Sequence, residues 1–313
     1  MRVLLGGNKR RGVACLKAVL DSGHEVVGVL AHPFSGEPAP ETFAAAGRSA
    51  GLPLVAPVDV NSRESTAALR ALGPDVVALA GYGQIVRREF LELAPRGCLN
   101  LHGGKLPEYR GSSPLNWALI NGEREVTLTV IRVDLGVDTG DIVLERTLQV
   151  GLDETIAELN ERADAVFPEL LLEALEGEEA GTLSARPQDE SRAAYYPLRF
   201  PDDGLVLFDL LSAEEVHNRI RALTDPYPAA FTFHGGRRIR LLRSRRSESV
   251  VFGEPGRVYA TRDRAILVCA ADRCLWIEQA VDEHGADALA AVARYDRLAT
   301  MREMALTSLG AGH

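Results

Sequence analysis

The feature that most limits how this chain can fold is an alternation in its first eighty residues. Short apolar runs of strand length keep giving way, through glycine or proline turns, to stretches with apolar residues at helical spacing. Residues 2–5 form an apolar run closed by Gly6-Gly7, and residues 13–20 carry the helical pattern up to a Ser22-Gly23 stop. A second buried strand is predicted over 24–30, a Pro/Gly-rich loop over 33–40, a helix over 42–50 and a third short strand over 52–56. A helix over 64–72 precedes the Pro-Asp-Val-Val-Ala-Leu-Ala run of residues 74–80, whose continuous apolar character fits a central parallel strand covered on both faces. Repeated βα units of this kind build an α/β fold around an open, doubly wound, mostly parallel sheet. Strands over 97–101, 127–133 and 142–150 extend that sheet, and a helix over 154–175 closes a first domain of residues 1–180.

The pattern then changes. Residues 181–203 are rich in Gly, Pro, Ser and acidic residues without a sustained period, which predicts a linker. Ser212-Ala-Glu-Glu215 is a capping box, in which a hydroxyl and a carboxylate each satisfy an orphan N–H at a helix start, and the helix it opens runs to Leu223 before Asp225-Pro-Tyr-Pro228 stops it. Short strand-like stretches over 230–233, 238–242, 256–260, 265–270 and 275–279 predict a small, OB-like antiparallel β-barrel as a second domain, residues 204–313. The basic run from Arg237 to Arg246 alternates charged and apolar residues in part, as a half-exposed strand does.

With 46% hydrophobic and 25% charged residues, the chain has the balance of an ordinary globular protein. Its formal net charge of −9 disfavours nucleic acid as a partner, because the molecule as a whole repels phosphate. The four cysteines, Cys15, Cys98, Cys269 and Cys274, lack CxxC or zinc-ligand spacing, so they are expected to be reduced and mostly buried, with no metal required. The N-terminus opens directly into a strand with no leader-like apolar segment, and no run approaches the ~20 apolar residues that span a bilayer; the expectation is a cytoplasmic protein without a membrane partner, for which a homodimer is compatible.

Chemistry concentrates between Cys98 and Trp117, at the end of a predicted strand, where open α/β sheets bind their ligands. Asn100 and His102 are two apart on that strand and so share a face. The segment Asp134-Leu-Gly-Val-Asp138-Thr-Gly-Asp141 is an acidic hairpin loop that can bring a carboxylate to His102; its spacing is not that of a calcium loop. Gly6-Gly7-Asn8 does not meet the dinucleotide pattern, and Lys9, Arg10 and Arg11 beside it suit either an exposed turn or contact with a substrate phosphate at the helix N-terminus.

The run NLHGGKLPEYRG, followed by VDLGVDTGD over 133–141, resembles the folate-dependent formyltransferases, whose signature is Asn-x-His, a Leu-Pro-x-x-x-Gly segment and a distal Asp-Thr/Ala-Gly loop. The likeness continues into the second domain at Ile220-Arg-Ala-Leu-Thr-Asp-Pro-Tyr-Pro-Ala-Ala-Phe231. The resemblance implies Asn100, His102 and Asp138 as catalytic residues and 10-formyltetrahydrofolate as formyl donor. Asn100 would stabilise the oxygen of the tetrahedral intermediate, His102 would assist there or shuttle a proton, and Asp138 would orient the imidazole. The family's pterin pocket, lined largely by backbone, corresponds to Tyr82, Gly83, Gln84 and Ile85 and to Asp134, Gly136, Val137 and Asp141; for Tyr82 and Gln84 a plain loop role stands equally open.

The acceptor is a matter of family branch. The chain is more than a hundred residues longer than the glycinamide ribonucleotide branch, which argues against purine synthesis. Methionyl-tRNA formyltransferases share the two-domain plan, yet the stretch Ala31–Glu41 is short and acidic where those enzymes carry a basic, glycine-rich insertion. Residues 106–117 and 120–123 look most like formyltransferases of nucleotide-linked amino sugars, such as the domain acting on UDP-4-amino-4-deoxyarabinose, although Gly103-Gly104-Lys105 departs from the small residue and two leucines of many relatives. The expected substrate is therefore a nucleotide-linked amino sugar, with methionyl-tRNA, or an amino-acid or hydroxylamine acceptor of siderophore or antibiotic assembly, as alternatives. On the amino-sugar reading Tyr109 and Arg110 either shape the acceptor side, Arg110 against a diphosphate, or pack the loop.

Overall fold

Continuous apolar runs become central strands because only there are both of their faces covered. In the computed structural model, which describes residues 1–302, the first such strands are β1 (Arg2–Gly7), β2 (Glu25–Leu30), β3 (Leu54–Val55), β4 (Val76–Ala80) and β5 (Cys98–His102). All five residues of β4 are buried. Between them lie α1 (Lys9–Leu20), α2 (Phe43–Ser49), α3 (Arg63–Ala71) and the single turn α4 (Arg88–Leu91). Asn8, Thr42 and Ser62 cap the first three helices by accepting from backbone N–H groups.

The chain then forms β6 (Arg110–Gly111), α5 (Pro114–Ile120), the hairpin β7 (Glu125–Arg132) and β8 (Ile142–Gln149), the long helix α6 (Ile156–Ala180) and β9 (Tyr195–Tyr196). The sheet order is β3-β2-β1-β4-β5-β7-β8. Pairings among β1 to β5 are parallel, whereas β7 and β8 are antiparallel additions. Chain direction across the sheet reverses between β1 and β4, where Asn8 N donates to Ala80 O at 3.3 Å; this is the switch point at which such sheets bind ligands.

The second antiparallel body contains α7 (Ala213–Leu223), opened by the expected capping box, and β10 (Ala230–His234), β11 (Arg237–Arg246), β12 (Val258–Arg262), β13 (Ala265–Cys269) and β14 (Cys274–Val281) in the order β10-β11-β14-β13-β12. Residues 295–299 pair with both edges: Leu298 N donates to Gly256 O at 2.8 Å and Ala299 N to Phe233 O at 3.0 Å, closing the sheet on itself. The basic run is one ten-residue strand, β11. By packing, one unit comprises Met1–Pro114, Glu125–Gln149 and Asn160–Pro197, and the other comprises Leu115–Arg124, Val150–Leu159 and the chain from Leu198 on.

The fold corrects two sequence expectations. Cys269 and Cys274 are directly opposed in the β13–β14 ladder and disulfide-bonded, so only Cys15 and Cys98 are thiols. Spacing hid this pair because a hairpin, not a CxxC turn, brings the two side chains together. Burial pushes the Cys15 thiol up to about 12 and raises that of Cys98 as well. The predicted linker is also not free of structure: β9 pairs in parallel with β6, and Arg186 pairs with Ile142. No helix among the described residues is long and apolar enough to cross a membrane.

Candidate active site

Asn100 and His102 lie on β5, whose ladder register sets Leu79 beside Asn100 and Thr129 beside His102. His102 is buried, and its Nε2 lies 2.6 Å from Tyr109 O. A carbonyl can only accept, so Nε2 carries the hydrogen and Nδ1 is the nitrogen left to exchange a proton. That Nδ1 faces Asp138 Oδ2 at 3.6 Å, an ion-pair distance longer than a hydrogen bond. The same Oδ2 accepts from Gly111 N at 2.9 Å, which fixes the carboxylate. Asn100 is half-buried, and its side-chain amide makes no hydrogen bond among the described residues. An amide held beside a buried imidazole without a partner of its own is free to hydrogen-bond a substrate oxygen.

Asp138 reaches this position by an indirect route. The β7–β8 hairpin leaves the sheet beside the start of β5, where Val133 N donates to Cys98 O at 2.8 Å, yet His102 lies four residues further along, a span of roughly 13 Å at strand rise. The loop must therefore fold back over the strand. Asp134 Oδ1 accepts from Gly136 N at 3.0 Å and from Thr139 Oγ1 at 2.6 Å, tightening the turn. Asp138 adopts a left-handed backbone with φ 54°, a strained conformation that Asp tolerates better than most residues. Gly140 is required by contact, since a Cβ there would lie 1.8 Å from Arg132 O. Asp141 contributes its carbonyl, which accepts from Arg132 N at 2.9 Å.

Around the switch point the remaining predicted residues separate. Tyr82 is buried and stacked on His32 with ring centroids 4.8 Å apart, and its Oη has no hydrogen-bond partner among the described residues. Gly83 N donates to His32 Nε2 at 3.1 Å, and burial lowers the pKa of that imidazole. Gln84 has its amide taken up by the neighbouring loop, accepting from Val60 N and donating to Pro57 O, both at 3.0 Å. Ile85 and Val137 are 68% and 44% exposed, apolar side chains held in the open. Lys9 starts α1 with φ 53° and its side chain is exposed.

Tyr109 and Arg110 are both packed into the loop that follows β5. Tyr109 is buried and stacked on Tyr196 at 4.9 Å, serving His102 through its backbone carbonyl. Arg110 is fully buried, and its guanidinium donates to Gln188, Glu190 and Tyr195. The Gly104 departure has a packing reason, because a Cβ there would lie 2.9 Å from Tyr109 O. Sequence reasoning missed His32, Gln188, Glu190 and Tyr195. The last three sit in the predicted linker, where no periodicity marks them.

An α/β sheet that presents a free amide, a tautomer-fixed imidazole and an anchored carboxylate has the makings of a group-transfer enzyme. The chain belongs to the formyl transferase family: residues 3–175 match the formyl transferase description and residues 200–292 match the formyl transferase C-terminal domain. It is a folate-dependent formyltransferase, whose family takes the one-carbon group from 10-formyltetrahydrofolate. A methionyl-tRNA formyltransferase from Anaeromyxobacter dehalogenans is 37% identical over 278 residues, covering 86% of this chain and 88% of that protein. Two solved structures share the fold. One is an N-formyltransferase from Helicobacter canadensis in complex with folinic acid and dTDP-3-aminofucose, with 15% identity, TM-score 0.70, and 89% and 98% of the two chains covered. The other is a methionyl-tRNA formyltransferase from Clostridium thermocellum, with 22% identity, TM-score 0.58, and coverage of 80% and 95%.

Proposed function

We propose that this enzyme transfers the formyl group to the amine of methionyl-tRNA, with Asn100, His102 and Asp138 at the reacting centre. The observation that carries the acceptor is likeness along 86% and 89% of the chain to relatives bearing that name, 37% and 33% identical for those from Anaeromyxobacter dehalogenans and Desulfotalea psychrophila. This displaces the amino sugar favoured by loop character and net charge. The charge argument weakens when resolved along the sequence: residues 1–197 carry 19 Lys and Arg against 28 Asp and Glu, while residues 198–313 carry 16 against 16. The whole excess of negative charge lies in the first part; the second is balanced and contains the arginine-rich strand β11, whose Arg243, Arg245 and Arg246 pair with Glu278, Asp153 and Glu214.

The unengaged amide of Asn100, the orphaned Oη of Tyr82 and the exposed Ile85 and Val137 fit a folate donor, with polar edges and a flat apolar body. The donor supplies an activated formyl carbonyl. Asn100 donates to its oxygen as the amine attacks and negative charge grows there. As the carbonyl re-forms, the bond from the formyl carbon to the donor's nitrogen breaks, and His102, held by the Tyr109 carbonyl, passes through Nδ1 the proton that this leaving nitrogen takes up. Asp138 stabilises the charged imidazole and takes part in removing the proton lost by the attacking amine.

A second reading, a nucleotide-linked amino sugar as acceptor, is favoured by the Helicobacter canadensis enzyme matching 98% of its own length and by the short acidic loop after β2. The test is a mass-spectrometric screen of purified enzyme and 10-formyltetrahydrofolate against methionyl-tRNA, UDP-, dTDP- and GDP-linked amino sugars and hydroxyornithine. A gain of about 28 Da on the methionyl end of the tRNA, formyl replacing hydrogen, is expected. A gain confined to a sugar or to the amino acid overturns the acceptor and leaves the chemistry.

A further inference from the structure

We infer that Gln188 is a positioning residue for formyl transfer, holding the Asp138 carboxylate opposite His102 by clamping the backbone of the loop that carries it. The inference rests on the reactive role of Asp138 proposed above. Gln188 is buried, and both ends of its amide are engaged. Its Nε2 donates to Asp138 O at 2.8 Å and to Gly140 O at 2.7 Å, bracketing Asp138 and the residue two beyond it. Its Oε1 accepts from Arg110 Nε at 3.0 Å and Nη2 at 2.8 Å. A guanidinium has only donors, so the oxygen must face Arg110 and the NH₂ must face the loop. Arg110 in turn is fixed by Glu190 Oε2 at 3.0 Å and Tyr195 Oη at 2.9 Å.

The loop needs such a hold. Asp134 to Val137 are exposed, the hairpin emerges far from His102, and Asp138 occupies a left-handed backbone that residues with a side chain rarely adopt. Among the described residues the Asp138 carboxylate accepts one hydrogen bond, from the Gly111 N–H, and Gly111 follows directly on Arg110. The two ends of the clamp, Gln188 on the loop carbonyls and Gly111 on the carboxylate, thus share Arg110 as their anchor. Loss of the Gln188 donors frees the loop to relax toward ordinary backbone angles and to draw the carboxylate away from Nδ1.

The discriminating substitution is Gln188→Glu. It keeps an acceptor for Arg110 but removes both N–H donors and sets a carboxylate against two carbonyls, so it separates the clamp from mere packing of Arg110; Gln188→Ala accompanies it. With the acceptor identified in the screen, kcat is expected to fall at least tenfold in both variants while KM for 10-formyltetrahydrofolate stays within twofold. In an Asp138→Asn background, adding Gln188→Glu is expected to cost less than twofold more, because a residue acting through another has no effect once that one is gone. Hydrogen exchange of the Gly111 amide, which needs no acceptor, is expected to speed up at least tenfold both in Gln188→Glu and in Asp138→Ala. Wild-type kcat together with unchanged Gly111 protection in Gln188→Glu overturns the inference. Wild-type turnover in Asp138→Asn instead overturns the role of Asp138, and the Gly111 measurement still decides whether Gln188 holds the loop.

Discussion

Replacing Asn100 by alanine separates function from stability more cleanly than any other change at this site. Asn100 is half-buried on β5, and its amide has no hydrogen-bond partner among the described residues. Truncation therefore breaks no internal hydrogen bond and removes a polar group that folding only partly dehydrates. The expected change in stability is within about 0.5 kcal/mol, or roughly 2 °C in Tm. Catalysis behaves differently, because a single preorganised donor to a developing oxyanion is worth about 2.7–4 kcal/mol, or about 100- to 1,000-fold in kcat. Asn100→Asp keeps the shape but points a carboxylate at the growing negative charge, so it falls below the alanine variant. Steady-state formyl transfer followed by mass spectrometry, paired with thermal unfolding of the same samples, measures both quantities. A variant that keeps kcat within threefold of wild type while losing several degrees of Tm refutes the reasoning and makes Asn100 a structural residue.

Two further expectations follow from groups outside this cluster. His217 is buried, with Nε2 donating to Leu152 O at 3.2 Å and Nδ1 accepting from Ser244 Oγ at 3.0 Å; burial first, and the Arg246 charge second, lower its pKa below the ordinary 6.5. The unfolded chain then takes up this proton before the folded one, so the stabilisation is complete above 6.5 and is lost as pH falls toward the lower folded value. A Tm-against-pH curve is expected to decline below about pH 6.5 and to flatten over that interval in His217→Gln; identical curves count against it. Thiol titration of denatured, unreduced protein should find two reactive groups, Cys15 and Cys98, whereas four would restore the expectation drawn from spacing.

Much of the fold is legible in the chain because it follows from local periodicity. The all-apolar β4 run announces a strand buried on both faces, the capping box at Ser212 starts α7 as expected, and the turn residues mark most strand ends. Periodicity says less about pairing: β3 shrinks to two residues, and nothing local shows that residues 295–299 join both edges of the second sheet. Gln188 escaped notice for the same reason, since a lone glutamine in an aperiodic stretch acquires meaning only when β9 folds back on β6 and brings it to Arg110.

By itself, then, the sequence determined the α/β and β-rich architecture, the shared face of Asn100 and His102, and through its motifs the family. These depend on residue type and on spacings of two to four, which a strand or a helix converts directly into geometry. Tertiary structure alone decided which carboxylate of the acidic loop faces His102, which imidazole nitrogen is left free, and that the Arg110 guanidinium is buried against Gln188, Glu190 and Tyr195. Those outcomes depend on contacts between residues 27 to 80 positions apart, such as Gly111 with Asp138 and Arg110 with Glu190, and only the closing of the chain on itself sets them.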